Sequence, residues 1–216
     1  MERISVTAYA TETMDTPPLL RLRLRDGTPI GVRPVTPEDA PRLTRGFRAL
    51  SSETRRFRFL TPIAQLSDEQ ARYLTEVDQY DHVAWGATPL LDPEADGFGV
   101  ARMVRLPGEP SVAEFSITVV DEVQGHGMGS LFLALLALLA PPRGIDTLRA
   151  YVASDNTRMT NWMRSLGAAT TDMAGDLTFD LSTHPPRLPV RFARKMRRIQ
   201  EEAEQQGVSF DPPGAV

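Results

Sequence analysis

Residues 119–140 read VVDEVQGHGMGSLFLALLALLA: the end of an apolar strand, a glycine-rich bend, then a strongly apolar helix. Gly125, Gly127 and Gly129 stand at alternate positions there. Glycine in a helix costs about 1 kcal/mol relative to alanine, so three of them at a helix start need a reason other than helix formation. A strand that feeds straight into a helix leaves the first helical N–H groups without internal partners, at the positive end of the macrodipole. Glycine lets a ligand approach that backbone closely, and the ligand such a nest of amides favours is phosphate. Two phosphate motifs fail on spacing. The dinucleotide fingerprint needs G-x-G-x-x-G where this bend has G-x-G-x-G, and a P-loop needs a Gly-Lys pair where this bend has no lysine.

Bulk properties narrow the class. A chain of 216 residues supports one full core. The apolar run from Leu131 stops at Pro141-Pro142, short of the roughly 20 residues a membrane span requires. The N-terminus shows no basic segment followed by an apolar one, so a cytoplasmic protein without a membrane partner is expected. Cysteine is absent, which excludes disulfides and thiolate chemistry. A net charge of −4 argues against a nucleic-acid partner. His82 and His184 lie far apart and join no acids at ligand spacing, so no metal is expected.

The element pattern predicts a mixed α/β domain. Alternating apolar and charged residues flank Asp26-Gly27, a hairpin signal. Thr36-Pro37-Glu38-Asp39 opens a helix running to about Ala49; further helices are read near Ser52–Phe59 and from Ser67 to about Val77. Three strands follow at 82–91, 97–106 and 112–120, with turn chemistry between them. After the apolar helix come a strand at 147–153, a helix capped by Asp155 or Asn156 and closed by Gly167, and a strand pair over 168–181. This order is not the strict alternation of a doubly wound fold. Residues 1–18 read as a flexible arm, 19–183 as the domain, and 184–216 as a linker, a charged helix and a tail.

The Q-x-x-G-x-G run of Gln124, Gly127 and Gly129 resembles the acyl-CoA pyrophosphate loop of the GNAT acetyltransferase superfamily, where it follows the fourth strand and opens the third helix. A second likeness sits downstream: Asn156 followed eleven residues later by the glycine of Leu166-Gly167. The stretches VRPVTPEDAPRL, SSETRRFRF, LTEVDQYDHVA, AEFSITV and DNTRM are similar to the GNAT domain of bacterial Pat-type protein lysine acetyltransferases. The resemblance implies a mostly antiparallel mixed sheet with helices on both faces, its fourth and fifth strands splayed, and acetyl-CoA as co-substrate. It implies cofactor contacts from Val119 and Val120, from the loop residues Gln124, Gly125, His126, Gly127, Met128, Gly129 and Ser130, and from Asn156 and Met159. It also places a glutamate ten or eleven residues before the loop glutamine, where this chain has Glu114. Many members carry a tyrosine seven residues after the asparagine as general acid; here that position is Met163, as in Pat-like domains.

Acetyl transfer from a thioester to an amine requires removal of a proton from the amine. Glu114, Ser116 and Thr118 share one face of their strand, and a polar face on a central strand fits a cleft or a solvated sheet surface. Glu114 is the candidate base. The acceptor implied is a protein lysine, such as one on an acyl-CoA synthetase; a small amine, or a non-catalytic acyl-CoA sensor, is the alternative. Asp78 and Asp81 read as turn or capping groups, and Trp85 and Trp162 as core. Arg187 to Arg198 holds six basic residues ahead of Glu201, Glu202 and Glu204, against the helix dipole. Such a helix suits an acidic partner surface, a neighbouring subunit of a homodimer, or plain solvation. It contains Lys195, the only lysine available for self-acetylation.

Overall fold

The computed structural model describes residues 18–59, 64–92, 94–173 and 176–214, so the arm expected over residues 1–18 falls almost wholly outside it. Among these residues eight strands form one sheet: β1 (Leu20–Arg23), β2 (Pro29–Pro34), β3 (His82–Pro89), β4 (Gly99–Leu106), β5 (Glu109–Val119), β6 (Thr147–Ala153), β7 (Ala169–Met173) and β8 (Asp176–Ser182). Their order is β1-β2-β3-β4-β5-β6-β8-β7, and every pairing is antiparallel except β5 with β6. The helices are α1 (Ala40–Ala49), α2 (Ser52–Phe59), α3 (Asp68–Thr75), α4 (Met128–Leu139), α5 (Thr157–Ser165) and α6 (Val190–Gln205).

Local chemistry accounts for most boundaries. Gly27 takes φ +89° in the β1–β2 turn, where the Asp26 carboxylate accepts the Thr28 amide at 3.0 Å. Ser67 caps α3 reciprocally with Gln70, its hydroxyl accepting the Gln70 amide at 3.1 Å and the Gln70 side chain accepting its own at 2.9 Å. The helix predicted from Thr36 differs: a 3-10 turn over Pro37–Asp39 precedes α1. Pro41 has no N–H to donate back to Pro37, so the α-helical ladder cannot begin there.

The sheet carries helices on both faces. Ala101 and Met103 of β4, with Ala113 and Phe115 of β5, join the main core beneath α4. Residues 131–137 of α4 are all buried, because the helix lies between β4 and β5 on one side and α6 on the other. A helix apolar all round needs such a position. The segment read as a linker, charged helix and tail therefore closes the same core, through Phe192, Met196, Ile199 and Ala203 of α6. On the opposite face α1 packs against α3, and Phe47, Leu50, Leu66 and Leu74 form a second, smaller cluster.

Candidate active site

β5 and β6 run parallel and share only three rungs: Val112 with Thr147, Ala113 with Leu148, and Glu114 with Arg149. Beyond Glu114 they part. β5 stays with β4 as far as Val119, while β6 stays with β8 as far as Ala153. The gap opens a cleft of about 640 Å³, lined by Ser116–Val119 on one wall and Ala150–Val152 on the other. Backbone N–H and C=O groups that would have bonded across β5 and β6 are thereby left without each other along the cleft.

The glycine bend closes the far end. Gly125 and Gly127 take φ +82° and +92°, and Gly127 is the N-cap of α4. Among the described residues no carbonyl or side chain accepts from the amides of residues 125–130. Consecutive free donors at the positive end of a twelve-residue helix suit an anion. Arg25 and Arg158 line the same region, and Arg158 donates to the Gln124 side chain at 2.8 Å. The Gln124 amide donates in turn to the Val119 carbonyl at 3.1 Å, which fixes the bend to the end of β5. Asp121 ties the bend to α2. Burial pushes its carboxyl up, but hydrogen bonds from the Ser51 amide and the Thr54 and Ser51 hydroxyls outweigh this and hold it below the ordinary carboxylate value.

Glu114 occupies the last shared rung, where the strands separate. Its side chain faces the cleft, is exposed, and has no hydrogen bond or ion pair among the described residues. Arg149 opposite it is occupied by Asp180 at 2.8 and 2.9 Å and by Glu109 at 2.8 Å. Those bonds to Asp180, and then to Glu109, raise the guanidinium pKa. The half-buried Arg58 of α2 has its pKa drawn down by burial, partly offset by the charge of Glu114.

Of the residues singled out in the sequence, Glu114, Val119, Gln124, Gly125, Gly127, Gly129, Ser130, Asn156 and Met159 line this one cleft. Asn156 also caps α5, accepting the Met159 amide at 3.0 Å. Three others lie elsewhere. His126 turns to the β1–β2 hairpin, where its Nδ1 is 2.6 Å from the Asp26 carboxylate. Hydrogen bonds from Thr28 and His126 bring Asp26 to about 2. Met128 is 1 % exposed in the core, because it is the first residue on the buried side of α4. Val120 donates its amide to the Phe98 carbonyl at 3.0 Å and lines a separate cavity. Asp78 makes the expected turn, accepting the Tyr80 and His82 amides at 2.8 Å each, and Asp81 pairs with Arg105 at 2.6 Å. Trp85 is core, and Trp162 packs partly buried against the core while also lining the cleft. Among the described residues no three histidines or acids come together to hold a metal ion.

With this geometry in place, comparison with known proteins is informative. Residues 30–169 match the family model of the acetyltransferase (GNAT) domain. The chain belongs to the GNAT family. It is similar to the acetyltransferase Pat of Mycolicibacterium smegmatis, 36% identical over 149 residues. That match covers 68% of this chain and 43% of Pat, so the chain spans less than half of that relative. An acetyltransferase of Pseudomonas aeruginosa is 28% identical over 144 residues, 67% of this chain and 77% of the relative. Among solved structures, the GNAT domain of S. lividans PAT superposes with a TM-score of 0.70 at 27% identity, covering 76% of this chain and 96% of that one. Counted from the opening hairpin, the GNAT loop strand is the fifth here and its helix the fourth.

The GNAT cleft also holds residues that sequence reasoning passed over. Tyr151 stands two positions beyond Arg149 on β6, so strand alternation puts it on the face of Glu114, and it lines the cleft. Met163 is fully buried in the core and does not reach the cleft. Arg25 and Arg58 come from the hairpin and from α2, far from the loop in sequence.

Proposed function

We propose that this GNAT chain transfers an acetyl group from acetyl-CoA to a primary amine, the side chain of a protein lysine, with Glu114 as general base. The coenzyme, when bound, supplies the acetyl group as a thioester. The free amides of residues 125–130, backed by Arg25 and Arg158, suit its diphosphate. The parted edges of β5 and β6 suit the extended arm that joins diphosphate to thioester. A lysine amine with a pKa near 10.4 must lose a proton before it attacks. Glu114 takes that proton directly or through one water, since no hydrogen bond or ion pair holds its carboxylate among the described residues and only the charge of Arg58 acts on it. The observation that carries this reading is the placement of a carboxylate free of hydrogen bonds at the fork, with the unpaired amides of Gly125, Gly127, Gly129 and Ser130 at the other end of the same cleft. The similarity to Pat supports a protein acceptor.

The Glu114→Gln variant tests it. Acetyl-CoA at about 100 times its Kd stabilises a binding protein by about 2.7 kcal/mol, and the thermal shift is expected in both wild type and variant. Turnover in the variant is expected to fall about 10²- to 10⁴-fold. Full activity in the variant removes the base assignment, and absence of any shift removes the coenzyme. Mass spectrometry after incubation with an acyl-CoA synthetase, a polyamine and free amino acids decides the acceptor: acetylation of the small amines alone overturns the protein lysine.

A further inference from the structure

A second cavity, of about 110 Å³, lies under α1 and α3 on the same face of the sheet as Glu114. Its walls are mostly apolar, with Leu43, Phe47, Leu66, Leu74 and Val100 among them. Arg102 reaches it from β4, because Ala101 and Met103 take the positions facing the main core. Arg102 is 4 % exposed. Its Nη2 donates to the Leu74 carbonyl at 2.5 Å and its Nη1 meets Nε2 of His82, but Nε has no partner. No carboxylate pairs with this guanidinium among the described residues. Arg58, whose charge acts on Arg102 and on which Glu114 acts in turn, lines both cavity and cleft. Burial and then the charge of Arg58 bring Arg102 down to about 9.

An uncompensated charge in a protein interior is strongly destabilising. Arg143 shows how the same fold handles one it needs for structure. It too is 4 % exposed, yet it donates to the carbonyls of Gln79, Leu139 and Phe210 at 2.9, 2.7 and 2.7 Å. Arg102 has a single carbonyl, one ring nitrogen of His82 and an idle Nε. A further observation concerns Gly46, in the middle of α1 and on the cavity wall. A Cβ there would meet nothing within 4 Å, so crowding does not require glycine at a position where it costs the helix about 1 kcal/mol. The missing side chain leaves room.

We propose that this cavity binds a small monocarboxylate, its apolar body under α1 and its carboxylate on Arg102. The size is close to the roughly 150 Å³ engineered cavity that admits benzene, so benzoate is a fitting probe. A cationic ligand is excluded by Arg102, and a neutral isostere leaves the guanidinium charge uncompensated. The site is independent of the acetyl-transfer reading, since neither Glu114 nor the amides of residues 125–130 contribute to it.

Calorimetric titration of the full chain with benzoate, benzamide and benzylamine tests the site. Benzoate is expected to bind at one site per chain, at least tenfold tighter than benzamide, with no binding of benzylamine. Arg102→Met is expected to weaken benzoate at least tenfold, with Arg102→Lys intermediate. Gly46→Leu keeps the guanidinium but fills the space, and is expected to abolish binding while acetyl-CoA still raises Tm. Should Arg102→Met not fold, Gly46→Leu and the wild-type ligand series decide. Equal binding of benzoate and benzamide, binding undiminished in Gly46→Leu, or no benzoate binding at millimolar concentration overturns the proposal.

Discussion

Single backbone angles determine whether the glycine bend can serve as an anion site. Gly127 at φ +92° is the N-cap of α4, and a Cβ there would lie 3.7 Å from that of Arg25, an ordinary contact. The cost of Gly127→Ala is thus conformational rather than steric, about 1 kcal/mol, or roughly 2–4 °C in Tm for a chain of this size. Relief of that strain re-aims the backbone amides where the bend enters α4. Acetyl-CoA affinity is therefore expected to fall about tenfold or more, a larger loss than stability alone explains, measurable by calorimetry beside a thermal melt. The glycine spacing made this much legible in the sequence. The direction of the side chains in between was not: His126 is held by Asp26, 100 residues away, and no local signal announces that contact. Glu114 was legible from strand alternation, and Tyr151 could have been found by the same rule applied to β6.

The elements were easier to place than to assemble. Strand and helix positions followed from turn residues, caps and periodicity, but the three-rung pairing of β5 with β6 is a tertiary property, expected only because of the family resemblance. For α6 the signal was present and masked. Phe192, Met196, Ile199 and Ala203 recur at helical spacing, while the density of arginine around them suggested a solvated or docking helix. Its apolar stripe instead seals the outer side of α4, and its C-terminus is pinned to β1 by Gln206, which exchanges two hydrogen bonds with the Arg21 backbone at 2.8 and 2.9 Å. Lys195 belongs to this packing: burial, then the charges of Arg198 and Arg25, draw its pKa down. Ile199, fully buried, measures the element's worth. Ile199→Ala is expected to cost about 2–5 kcal/mol by chemical denaturation. A loss below about 0.5 kcal/mol would show that α6 is a peripheral helix.

At the scale of the whole molecule, two sets of partly buried groups contribute resistance to acid in separate pH windows. Asp39, Asp78 and Asp121 are each pushed up by burial and pulled further down by hydrogen bonds, Asp39 by Arg33 and the Thr36 amide, Asp78 by the His82 and Tyr80 amides. Folded values below 3.8 mean that their contribution is complete above that pH and lost beneath it. His82 acts earlier. Burial, followed by the charge of Arg102, takes it to about 4, with Asp78 opposing. An unfolded histidine titrates near 6.5, so between 6.5 and 4 the unfolded chain binds a proton that the folded chain refuses. Stability from this group is therefore full above about pH 6.5 and declines as the pH falls toward 4. Its partial exposure screens part of the effect, leaving about 1 kcal/mol between pH 7 and 5. In Tm that is roughly 2–4 °C for a chain of this length. The variant His82→Gln keeps an acceptor for Arg102 but cannot titrate, so its melting temperature is expected to change less than that of wild type across the same buffers. Parallel lines for the two proteins from pH 7 to 5 would mean that His82 takes up its proton in the folded state as readily as in the unfolded one.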